Sequence, residues 1–85
     1  MNDKQLVKIL KAIGSDRRLA ILKYLKNREM SVSQISKLIK LSFRSTSKHL
    51  SVLFATGLVD AKQDNLNRIY SISSDFPKQF LEFLK

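Results

Sequence analysis

The chain has 85 residues, enough for one small domain, because two cores would leave each half below the size that usually folds alone. Its 16 Lys and Arg against 7 Asp and Glu give a net charge of +9, which points to a polyanionic partner: nucleic acid first, an anionic membrane surface second. Zero Cys and a single His exclude disulfides, thiolate zinc sites, iron–sulfur clusters and thiol redox sensing, and no apolar run approaches the ~18 residues that span a bilayer.

In chain order, Leu6, Leu10 and Ile13 fall at the spacing of one helical face, which predicts a helix over 3–13 ended by Gly14. Ser15 is placed to cap a second helix, Asp16 to Asn27, whose wide arc of Ile21, Leu22 and Leu25 suggests a central helix packed on more than one side. Met30-Ser31-Val32 reads as a short extended link, and Ser33 as the N-cap of a two-turn helix carrying Ile35, Leu38 and Ile39. Ser42 then caps a helix from Phe43 to about Thr56, stopped by Gly57. Two helices joined by so tight a turn form a helix-turn-helix. Beyond Gly57 the period changes. Residues 58–63 and 67–73 read as strands around the turn Asp64-Asn65-Leu66, giving a hairpin. Asp75 opens a last helix with Phe76, Phe80, Phe83 and Leu84 on one face, and Pro77 is tolerated in its first turn. The fold class expected is mainly α with a small β-hairpin: a winged helix-turn-helix of order α-α-α-α-β-β-α, filling residues 1–85 as a single domain.

The charge is unevenly placed: +2 over residues 1–14, +5 over 15–41, +2 over 42–57 and zero over 58–85. Along 43–56, Thr46, Leu50, Leu53 and Phe54 share a face assigned to the core. The opposite side carries Arg44, Lys48 and Ser51, flanked by Ser45 and Ser47, with no acid. Short hydroxyls, Ser42 at the helix start included, and two long cations suit a major groove, where they reach phosphates and base edges, and the helix N-terminus adds its own partial positive charge near a phosphate. Phe43 either packs at the helix entrance or touches a thymine methyl. His49, bordering the core face, reads as structural or phosphate-bonding, with a pH-sensitive contact as a further option, and not as a metal ligand. In the hairpin, Lys62 and Arg68 are the candidate DNA contacts, opposed by Asp60 and Asp64, so the wing is electrostatically weaker than the helix.

Together these residues resemble a known family. Ala12 to Leu22 (A-I-G-S-D-R-R-L-A-I-L) is similar to the opening ALADPTRLRIL of the ArsR-type regulators, and Leu41 to Leu53 (L-S-F-R-S-T-S-K-H-L-S-V-L) is similar to their LSQSTVSRHLKVL. Gly57-Leu58-Val59 and Arg68 to Ile72 resemble the two sides of the family's wing. The resemblance implies a homodimeric transcriptional regulator, usually a repressor, that binds an inverted repeat of double-stranded DNA and dimerises through its first and last helices. The segments 3–13 and 75–85 are the matching elements, with Leu6, Leu10, Ile13, Phe76, Phe80 and Phe83 as the dimerisation residues, unless those stripes simply close the monomer's own core. Glu29 to Ile35 (E-M-S-V-S-Q-I) resembles the family's metal-binding ELCVCDL, but both cysteines are serines here, Ser31 and Ser33. A serine hydroxyl does not deprotonate as a thiol does, so metal sensing through this segment does not carry over, and no metal or cofactor is expected.

The expected protein is therefore a sequence-specific dimeric DNA-binding regulator, with a repressor's mode of action. Non-specific or architectural nucleic-acid binding, and reuse of the winged helix for protein interaction, are the alternatives. An enzyme is not expected, because one His and seven scattered acids suggest no catalytic arrangement. The start Met1-Asn2-Asp3-Lys4 lacks a secretion signal's profile, so a soluble, cytoplasmic chain with no membrane partner is expected. Any antagonist, whether protein or small molecule, stays open.

Overall fold

The protein is described by a computed structural model covering residues 1–85. Helix α1 (Asp3–Ile13) starts with a reciprocal cap: the Gln5 amide donates to Asn2 Oδ1 at 2.8 Å, while the Gln5 side chain accepts from the Asn2 amide at 3.4 Å. It ends where Gly14 N–H reaches back to the Leu10 carbonyl at 2.8 Å. A Cβ on Gly14 would lie 2.9 Å from that oxygen, so glycine is what lets the chain turn here. Helix α2 (Asp16–Leu25), capped by Ser15, buries Ile21, Leu22 and Leu25 completely or nearly so, as its wide apolar arc predicts.

The link after α2 is more ordered than a loop. Met30–Ser31 forms strand β1, and Ser31, not Ser33, is the N-cap of helix α3 (Val32–Ile39). Ser31 Oγ accepts from Gln34 N–H at 3.2 Å and Gln34 Oε1 accepts from Ser31 N–H at 2.9 Å. The Ser–x–x–Gln pattern begins at Ser31, and only that register pairs both backbone donors. Lys40 follows in the left-handed conformation (φ 54°), and its amide closes the last turn of α3 on the Ser36 carbonyl. After this turn, Ser42 caps helix α4 (Phe43–Ala55) by accepting from Ser45 N–H at 3.1 Å. Gly57 (φ 76°) then redirects the chain, a conformation that favours glycine.

Strands β2 (Val59–Asp64) and β3 (Asn67–Ile72) form the hairpin, in register from Val59 opposite Ile72 to Asp64 opposite Asn67. Asn65 takes the left-handed turn position (φ 60°). The short β1 pairs with the other edge of β3, Met30 opposite Tyr70 and Ser31 opposite Ile69, so the sheet has three strands in the order β1-β3-β2. The closing segment differs from the expected helix. Asp75 to Pro77 is irregular, and a 3-10 helix follows at Lys78–Leu84. Pro77 precedes it with extended backbone (φ −60°, ψ 120°) and no side-chain cap.

One core joins these elements. Ile9, Ala12 and Ile13 of α1 meet the buried face of α2. Ile35 and Ile39 of α3 and Leu50 and Leu53 of α4 complete the helical side, while Leu58, Val59 and Tyr70 cover it from the sheet. Phe76, Phe80 and Leu84 close the remaining side. No helix is long and apolar enough to cross a membrane.

Candidate nucleic-acid interface

Helix α4 is held by its inner face and presents the other. Thr46, Leu50 and Leu53 are fully buried, and Thr46 Oγ1 donates to the Ser42 carbonyl at 2.8 Å, which satisfies a hydroxyl placed in the core. Phe54, assigned to that face from the wheel, is instead 47% exposed. It lies beyond Leu53 at the end of the helix, where the core has given way to the wing, and the Arg68 guanidinium sits 5.4 Å from its ring centroid.

On the outer face Arg44, Lys48 and Ser51 are exposed, with Ser45 and Ser47 half-buried at the flanks and Ser42 exposed at the cap. Neither Arg44 nor Lys48 makes an ion pair, and the first turn carries no acid. Two free cations and three hydroxyls (Ser42, Ser45 and Ser47) thus share the N-terminal half of the helix and its cap, where the helix dipole adds positive potential. Phe43 is 57% exposed, so it does not pack in the core.

Two arginines of α2 orient this helix and its neighbour, and neither was singled out by sequence reasoning. Arg17 Nη1 donates to the Ile39 carbonyl at 2.8 Å, satisfying the C-terminal end of α3. Arg18 donates through Nε to the Ala12 carbonyl at 2.7 Å and through Nη2 to the Lys11 carbonyl at 3.2 Å. Its Nη1 lies 3.2 Å from His49 Nδ1. Because a guanidinium only donates, Nδ1 is the acceptor and the imidazole is neutral, with its proton on Nε2. Burial, then the charges of Arg18 and Arg17, hold the His49 pKa below its ordinary value. Basic residues in the opening motif were the available signal, but the Ile39 carbonyl and the His49 imidazole lie 22 and 31 residues from their arginines.

The wing's cations are less free than the sequence suggests. Lys62 Nζ lies 3.2 Å from Glu29 Oε2, and Arg68 Nε donates to the Tyr70 hydroxyl at 3.0 Å while its guanidinium also faces the Tyr70 ring at 5.6 Å. Of the six terminal apolar residues, Ile13, Phe76 and Phe80 are buried within the monomer and Leu6 is half-buried. Leu10 (46%) and Phe83 (53%) are exposed. The stripes therefore divide between closing the core and facing outward.

Ser31 Oγ is engaged as a helix cap, Ser33 offers only a hydroxyl, and no three His, Asp or Glu side chains gather as ligands.

A helix-turn-helix with a basic, acid-free second helix and a flanking hairpin defines a winged helix-turn-helix DNA-binding regulator. The chain belongs to the bacterial regulatory protein arsR family, whose profile matches residues 15–61. It is 36% identical over 83 residues to the transcriptional activator HlyU of Vibrio cholerae, an alignment covering 98% of this chain and 77% of that protein. The structure of reduced HlyU superposes with a TM-score of 0.87 at 36% identity, over 98% of this chain and 87% of that one. The nodulation protein NolR of Rhizobium meliloti is 39% identical over 66 residues, 78% of this chain but 54% of NolR. A homodimeric winged helix-turn-helix DNA-binding domain from Mycobacterium bovis, Mb0332, gives a TM-score of 0.80 at 27% identity over 88% of this chain and 75% of that one. Membership in this family places the chain among transcriptional regulators and not among enzymes.

Proposed function

We propose that the protein is a cytoplasmic homodimer that recognises an inverted repeat in double-stranded DNA by inserting α4 into the major groove, and that it acts as a repressor. The observation that carries this reading is the outer face of α4, where Arg44 and Lys48 stand unpaired among Ser42, Ser45, Ser47 and Ser51. Arg and Lys reach guanine O6 and N7, and the hydroxyls bond phosphates or base edges. Phe43, exposed at the helix entrance, supplies apolar contact for a thymine methyl. Lys62 and Arg68 of the hairpin are already bonded within the fold, to Glu29 and to Tyr70, so their part in DNA contact is secondary to that of the α4 cations.

The dimer is supported by the exposed Leu10 and Phe83 on the two terminal elements, and by the homodimeric state named for the Mb0332 domain. Two-fold symmetry would place two α4 helices about 34 Å apart, one turn of DNA. Occupying promoter DNA excludes other proteins sterically, so repression is the proposed sign, although the V. cholerae relative is named an activator.

Selection from a random duplex pool at about 150 mM salt tests the reading, since screening there is near physiological. The expected result is enrichment of an inverted repeat. Folded protein that enriches no sequence would contradict it, and a promoter–reporter assay on the selected site would decide the sign.

A further inference from the structure

The hairpin lacks the features of a phosphate clamp. Its residues 58–73 carry Lys62 and Arg68 against Asp60 and Asp64, so it has no net charge. Both cations are engaged, Lys62 with Glu29 and Arg68 with Tyr70 and Phe54. Asp64 stands at the shoulder of the tip, opposite Asn67, and offers no positive charge to a phosphate.

At the tip itself, Leu66 is 95% exposed, more than any other large apolar residue of the chain. The fold gives it no role. The turn is set by the left-handed Asn65, whose carbonyl accepts from Gln63 Nε2 at 3.2 Å, and a polar residue would serve equally well at position 66. On either side stand exposed Asn65 and Asn67, whose side-chain amides have no hydrogen-bond partner within the chain. A shallow groove of about 150 Å³ beside this tip is lined by Leu66, Asn67 and Arg68 of the hairpin, Ser33 of α3 and Phe43 of α4.

Building on the DNA-binding reading of α4, we infer that the wing meets DNA through this uncharged tip, with Leu66 seated in the minor groove between Asn65 and Asn67. An amide N–H can donate to adenine N3 or thymine O2, which line the floor of an A·T minor groove. Leucine supplies apolar contact there, as wedge residues do in minor-groove proteins. A guanine would place its N2 amino group where Leu66 sits, so the wing specifies A·T pairs flanking each half-site. The salt dependence of binding then comes from α4 and the basic first two thirds of the chain, not from the wing.

The test uses the full chain and the duplex it selects from a random pool. Flanking A·T pairs are replaced by G·C, or by inosine·C, which presents G·C's major groove without the N2 amino group. Wild type should lose about tenfold in affinity on G·C and regain it on inosine·C, the scale expected when one leucine's burial is lost. Leu66→Ala should bind the A·T duplex about tenfold more weakly, discriminate neither replacement and keep the wild-type salt slope. Its thermal unfolding should match wild type, because Leu66 packs against no core residue. Leu66→Ala with wild-type affinity and discrimination would overturn the inference, as would wild type that tolerates G·C at every flanking pair. A change confined to capture of a protein partner would do the same. Wild type that selects no duplex would overturn the reading of α4 as well, which separates the two failures.

Discussion

At the scale of single residues, one guanidinium ties three helices together. Arg18 of α2 binds carbonyls in the last turn of α1 and the imidazole of α4, so α4 is held against the terminal helix through His49. This contact makes stability depend on pH. Unfolded, His49 takes up a proton near 6.5, whereas in the fold burial and the two arginines hold its pKa lower. The unfolded state therefore binds more protons as the pH falls through 6.5, and stability present above that value declines until the folded-state pKa is passed. Thermal unfolding between pH 7.5 and 5.5 should show this decline, and His49→Gln should flatten its local contribution. An unchanged pH profile in the variant would show that His49 is not the titrating group. Thr46 as a buried position and the outward Arg44, Lys48 and Ser51 were legible in the sequence, because helical periodicity alone places them. The Arg18 contacts were not, since they depend on how α1 and α4 meet across α2. Phe54 misled for a related reason: the wheel gives its angle but not where along the helix the core ends.

Among the elements, α1 through α4 and the hairpin follow from caps and apolar spacing, and the departures cluster at the junctions. A two-residue strand has no alternation to detect, and β1 exists because Met30 and Ser31 find Tyr70 and Ile69 across the sheet. That pairing puts the cap at Ser31, two residues before the expected Ser33. Ser31→Ala should cost about 1 kcal/mol in chemical denaturation, and Ser33→Ala much less. Equal costs would contradict the observed capping box. By the resemblance both serines stand where the family's metal-binding cysteines would be, and Ser31 has a local use as a helix cap. The closing element was legible as apolar but not as a 3-10 helix, because the i, i+4, i+8 spacing of Phe76, Phe80 and Leu84 is what an α-helix would also show.

For the whole molecule, the fold separates two kinds of exposed surface: a basic face around α4 and apolar side chains on the terminal elements. Val7, Leu10 and Phe83 are exposed in the monomer, and pairing two copies would give them cover. Changing Leu10 and Phe83 together to Glu should yield a folded monomer in sedimentation equilibrium, with DNA affinity reduced by loss of the second half-site. A variant that remains dimeric would place the interface elsewhere. The split of the six terminal residues between core and surface could not be read from periodicity, which marks an apolar face without saying which neighbour covers it. The central claim is that the acid-free face of α4 reads DNA. Its most direct test is binding of the Arg44→Ala, Lys48→Ala double variant to the selected duplex across a salt series. Both side chains are exposed and free of ion pairs, so the variant should keep the wild-type unfolding transition. It should lose about a hundredfold in affinity and show a shallower slope than the roughly −5 expected for a dimer that neutralises about three phosphates per protomer. A folded double variant that binds as tightly as wild type, with the same slope, would contradict the account.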